Sequence, residues 1–148
     1  MPPSPVEPAI PVRNDRWRSA LGWVTCGLWV SGAAWLAARY LFVSESEFGL
    51  QVPGWAAQVL AVHGAMAMVA LVTLGAWLPV HVFPRLHQSR YRLTGFTQLG
   101  LLTVLAVTGY GLYYIAGEFS RPTWSVIHWA VGLILPAVIL VHRRAPAR

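Results

Sequence analysis

The sequence predicts an all-α fold, an integral membrane four-helix bundle with both termini cytoplasmic. Three observations predict it. Of 148 residues, 56% are hydrophobic and only 11% are charged, and the mean hydropathy is +0.53, proportions foreign to a soluble domain. Four apolar runs, at residues 19–43, 55–83, 93–116 and 122–142, each supply the ~20 residues that a spanning helix needs. The charges between those runs alternate in sign and density, which fixes an orientation.

Eleven basic residues, all arginine, face five acids. Arg13, Arg16 and Arg18 precede the first run, Arg85, Arg90 and Arg92 lie between the second and third, and Arg143, Arg144 and Arg148 follow the fourth. The other two links hold only Arg39 and Arg121, beside Glu45, Glu47 and Glu118. By the positive-inside rule both termini and the middle loop are cytoplasmic. The net charge of +6 is thereby explained by topology, and no nucleic-acid partner is expected. The organisation read from this is a cytoplasmic tail over 1–18, a transmembrane domain over 19–142 and a cytoplasmic tail over 143–148. The expected location is the inner membrane of a bacterium, since the absence of lysine fits a GC-rich genome.

Taken in order, the stretch MPPSPVEPAIPV is proline-rich and has no continuous apolar core, so it reads as an extended tail and not as a signal peptide. Helix 1 then serves as an uncleaved signal anchor. Its Trp17, Trp23, Trp29 and Trp35 suit the interfaces, and Gly22, Gly27 and Gly32 allow close helix approach. Cys26 is the single cysteine and reads as a small buried residue, excluding an internal disulfide and covalent CxxCH haem attachment. The link SESEFGLQVPG is short, acidic and external.

Helix 2 carries Gly64, Gly75 and Pro79. The proline removes a helix hydrogen bond, so a kink or an early exit is expected there. Helix 3 has Gly95, Gly100 and Gly109 as packing notches and Tyr110, Tyr113 and Tyr114 at its outer end. Helix 4 opens after Arg121-Pro122, a proline at a helix start, and contains Pro136. No internal repeat is strong enough to argue from.

Ionisable residues inside spans are costly and mark function. Asp, Glu and Lys are missing from the helix centres, which leaves His63, His81, His87, His128 and His142. His63 and His81 are 18 residues apart, five turns of helix, and His128 and His142 are 14 apart, which leaves an offset of ~40°. Each pair therefore shares a face. Helices 2 and 4 are parallel, so His63 and His128 lie at similar depth on the outer side, and His81 and His142 form an inner layer. His87 falls in the arginine-rich loop and reads as a surface residue.

Two histidine pairs facing each other across a bundle suit two b-type haems. Each iron takes imidazole nitrogens on opposite faces of a planar ring, so its ligands come from opposing helices. The expected ligands are His63 and His128 for the outer haem iron and His81 and His142 for the inner one. Gly64, Ala67, Ala70, Gly75 and Gly132 are expected to line the slot. Arg121 outside, and Arg85, Arg90 or Arg92 inside, are candidate propionate partners. On ideal helices the two histidine spacings differ by about 6 Å along the axis, to be absorbed by tilt, by side-chain reach or at Pro79 and Pro136.

The stretches VHGAMAMVALVTLGAWLPVH, YRLTGFTQLGLLTVLAVTGYGLYYIAGE and IHWAVGLILPAVILVH resemble the small four-helix di-haem cytochrome b membrane proteins, and are similar to the cytochrome b subunits of respiratory dehydrogenases and hydrogenases. The resemblance implies axial roles for His63, His81, His128 and His142. It also implies electron passage between a quinone pool and a partner redox subunit. Several members use a helix 1 histidine, which this sequence lacks.

The expected function is electron transfer across the bilayer between quinone or quinol and a catalytic or electron-carrier redox subunit. Two non-covalent haem b groups serve as cofactors, with quinone as a further one. Tyr113, Tyr114 and Trp124 are candidates for a quinone pocket or members of an aromatic belt. So little chain lies outside the helices that the protein is expected to be a non-catalytic subunit of a larger oxidoreductase. The alternatives are a zinc or copper site or transporter built on the histidines, to which only Met66 and Met68 add nearby ligands, and a structural anchor. No Ser/His/Asp or HExxH constellation supports a hydrolase.

Overall fold

The computed structural model describes residues 15–47, 49–85 and 92–144. The tail up to residue 14, His87, Arg90 and the last four residues lie outside the described residues, and for Arg85 and Arg92 only the backbone is described. Four long helices dominate: α1 (Asp15–Tyr40), α2 (Trp55–Trp77), α3 (Arg92–Tyr114) and α4 (Arg121–Arg144). All four, α2 with its extension to Val82, are long and apolar enough to cross a membrane. α1 begins four residues before the expected start of the span at residue 19 and stops at Tyr40, three short of the end of its apolar run.

The α1–α2 link is not a plain loop. Strands β1 (Ser44–Ser46) and β2 (Gly49–Gln51) pair antiparallel, with Glu45 opposite Leu50. Gly49 takes φ +95° at the turn, a left-handed conformation that glycine adopts without a Cβ clash. Phe42 and Trp55 meet edge to face beneath the hairpin, ring centres 6.1 Å apart, and tie the end of α1 to the start of α2.

At Pro79 the helix changes pitch. Residues Leu78–Val82 form a π-helical turn, in which the Phe83 N–H donates to Leu78 O, and Phe83–Arg85 follow as a 3₁₀ turn. Proline has no N–H to donate, and widening the turn by one residue re-pairs the carbonyls around it. His81 sits inside this turn, so the 3.6-residue arithmetic that aligned it with His63 does not run unbroken to it. Pro136, by contrast, stays within the continuous α4.

α1 lies along α2 and α3 along α4, with a smaller contact between α1 and α4. Among the described residues the buried apolar side chains are Ala38, Ala56, Ala116 and Leu135. Large apolar side chains such as Trp23, Val72, Leu93 and Tyr114 face outward. A helix bundle apolar around its circumference is the pattern of a lipid-facing surface. Cys26, expected to be buried, is exposed on the outside of α1.

At the α3–α4 link, Arg121 donates through Nη2 to Ala116 O at 3.2 Å and its backbone N–H to Gly117 O at 2.9 Å. Gly111 admits the Trp124 ring so closely that a Cβ at that position would overlap it. This contact closes the α3–α4 hairpin just beyond the histidine level.

Candidate cofactor site

His63 lies eight residues into α2 and His128 seven residues into α4, at depths of ~12 Å and ~10 Å from the helix starts. Their rings meet between the helices with centres 6.2 Å apart and planes at 82°. Two imidazoles bound trans through one metal, with metal–nitrogen bonds of ~2 Å, have ring centres roughly 6 Å apart. At that separation one metal ion could be held between the two rings.

The orientation of each ring is fixed from behind by a neighbouring helix. His63 Nδ1 stands 3.0 Å from Ser31 Oγ and 3.1 Å from Leu28 O, both on α1. His128 Nδ1 stands 2.8 Å from Thr108 Oγ1 on α3. Ser31 donates its own proton to Gly27 O at 2.7 Å, and Thr108 donates to Val104 O at 2.7 Å. With their protons committed, both hydroxyls accept from the histidines. The Leu28 carbonyl can only accept. Each Nδ1 is therefore the protonated nitrogen, and each Nε2 carries a lone pair. Ser31 and Thr108, 8% and 6% exposed, are the buried polar residues among those described, so the bundle spends its two buried hydroxyls on its two facing imidazoles.

Glycine follows each hydroxyl. A Cβ on Gly32 would lie 3.2 Å from His63 Cε1, and one on Gly109 would lie 3.3 Å from His128 Cε1. The two segments have the same form, LWVSG at 28–32 and LAVTG at 105–109: a leucine whose carbonyl sits one turn back, the hydroxyl, then the glycine that admits the ring. A third instance lies fourteen residues earlier on α3, where Thr94 Oγ1 is 3.0 Å from His142 Nδ1 and Gly95 is the residue beside that ring. Thr94 and Thr108 are spaced as His142 and His128 are, so antiparallel α3 and α4 repeat one device at two levels.

Expected slot-lining positions behave differently. Gly132 faces Leu105, Gly64 faces the Tyr113 hydroxyl, and Gly75 has open space around it. The glycines beside the imidazoles are Gly32, Gly95 and Gly109, expected from the sequence to be helix-packing notches. His81 meets Trp77, ring centres 4.9 Å apart at 40°. Tyr110, Tyr113 and Tyr114 form an exposed aromatic cluster at the hairpin end, and Trp124 is seated on Gly111.

The residues present fit a b-type haem: His63 and His128, from opposing helices and with glycines beside both rings, would hold it through their Nε2 atoms. Trp129 Nε1, next in sequence to His128, is buried with no hydrogen-bond acceptor among the described residues. Among the described residues no three or more His, Cys, Asp or Glu side chains gather in a metal-ligand cluster. A structural zinc site usually takes four such ligands. No protein-family model, curated protein or solved structure matches the chain.

Proposed function

We propose that the chain is a membrane-embedded b-type di-haem cytochrome subunit, multi-pass in a bacterial inner membrane with both termini cytoplasmic, carrying electrons between quinone or quinol and a partner redox subunit. The observation that carries this reading is the His63–His128 pair, 6.2 Å apart with both Nδ1 atoms turned away to separate helices. Haem, when bound, supplies one-electron redox chemistry that no side chain here provides.

The chain's own residues orient the ligands and keep water away. α2 and α4 present the outer pair of imidazoles, while α1 and α3 hold those rings from behind. His142, held by Thr94 as His128 is held by Thr108, is the ligand at the inner level, and His81 on the π-turn is its counterpart. A π-turn places a side chain off the regular helical register and recurs at functional sites. Here it offers a way to take up the unequal histidine spacings of α2 and α4.

Purified from haem-replete cells, the protein is expected to be red, with a b-type reduced-minus-oxidised spectrum. A colourless protein without a pyridine haemochrome contradicts the proposal. Stoichiometric zinc or copper in its place would assign the histidines to a metal-binding or transport protein instead.

A further inference from the structure

We infer that Ser31 and Thr108 are positioning residues for the facing imidazoles, fixing His63 and His128 as Nδ1–H tautomers and strengthening their Nε2 atoms as donors to iron. This rests on the haem reading above and adds to it how the chain sets the strength of its ligands.

An imidazole with a free choice of tautomer presents a usable lone pair at either nitrogen, and only the Nδ1–H form offers Nε2 to a metal. Each hydroxyl removes that choice by committing its own proton to the i−4 carbonyl, Gly27 O or Val104 O, at 2.7 Å. What remains toward the ring is an acceptor. Behind each hydroxyl stands the i−3 leucine carbonyl: Leu28 O takes a bond from His63 Nδ1 at 3.1 Å, and Leu105 O lies 3.3 Å from Thr108 Oγ1. An Nδ1–H that donates to oxygen gains imidazolate character, which makes Nε2 more basic and favours ferric over ferrous iron. Partners of this kind typically change metal affinity 10–100-fold when removed. A hydroxyl that served only to bridge helices would have no reason to sit against Nδ1 of a histidine at each of three positions, with glycine following each time.

The test compares Thr108→Val, Thr108→Ser and Ser31→Ala with the unaltered protein, reading haem retention and the midpoint potential of the haem lost in His128→Ala. Thr108→Val is expected to loosen that haem 10–100-fold and to raise its potential. Thr108→Ser restores both, and Ser31→Ala moves both the same way. If Thr108→Val does not assemble, the comparison of Ser31→Ala with Thr108→Ser decides. Unchanged potential and retention in Thr108→Val or Ser31→Ala overturns the inference while leaving the cytochrome reading intact. Histidine ¹⁵N spectra of haem-free protein separate the two failures: protonated Nδ1 with bare Nε2 at His63 and His128 supports the inference, and protonated Nε2 overturns it, whether or not the chain binds haem.

Discussion

Gly109 lies against the His128 ring so closely that a Cβ placed on it would come within 3.3 Å of Cε1. Gly32 stands in the same relation to His63 at 3.2 Å. Close approach of this kind leaves a methyl group no room unless the ring gives way. Gly109→Ala and Gly32→Ala are therefore expected to displace the imidazoles, at a cost of about 1–3 kcal/mol as for other overpacked sites, and to shift or weaken the outer haem spectrum. Gly75→Ala meets nothing within 4 Å and is expected to leave the spectrum unchanged. Visible spectra of the three variants at matched protein concentration check this.

Trp124 and Gly111 form a second tight contact, away from the imidazoles. Gly111→Ala is expected to destabilise the α3–α4 hairpin by about 1–3 kcal/mol, and adding Trp124→Leu is expected to recover much of that loss. Thermal unfolding in detergent, followed by far-UV circular dichroism, measures both. Additive losses in the double variant would show that the two residues do not interact.

The imidazole planes at 82° have a spectroscopic consequence. Nearly perpendicular axial rings leave the two iron d-orbitals that bond to them close in energy, which gives a strongly anisotropic low-spin ferric signal. Electron paramagnetic resonance of the oxidised protein is expected to show that signal for the outer haem. An ordinary rhombic signal there would mean that the rings turn parallel on binding.

The orientation is testable through Cys26, the single cysteine. In a Cys26→Ala background, cysteine placed at Glu47 is expected to react with an impermeant maleimide in intact cells, and cysteine at Arg148 only after the membrane is opened. The reverse pattern would invert the topology.

Much of the architecture was legible because membrane-length apolar runs are long signals. The four runs anticipated the four helices with end errors of a few residues, as at Tyr40 against residue 43. Short features were not legible. The Ser44–Gln51 hairpin is too brief for alternation to register, and Pro79 announced an interruption without saying that a π-turn would repair it. The expected burial of Cys26 was wrong because, on a helix apolar on all sides, hydrophobicity no longer distinguishes inside from outside.

Within the candidate site, His63 and His128 were legible as ionisable residues inside apolar spans, whereas the helical period that aligned His63 with His81 is broken by the π-turn at Leu78–Val82. Neither feature pointed to Ser31, Thr94 or Thr108, nor to the roles of Gly32, Gly95 and Gly109. Their importance depends on the register between neighbouring helices, which no single helix encodes. Two signals were nonetheless present: the repeated form LWVSG and LAVTG, and the fourteen-residue spacing of Thr94 and Thr108 that matches His128 and His142.

The central claim is that His63 and His128 hold the same haem. Counting haem per chain by pyridine haemochrome in the unaltered protein, His63→Ala, His128→Ala and the double variant tests it most directly. The expected counts are two, one, one and one, because the second substitution removes a ligand to a haem already lost. Two haems retained in either single variant, or none in the double variant, would contradict it.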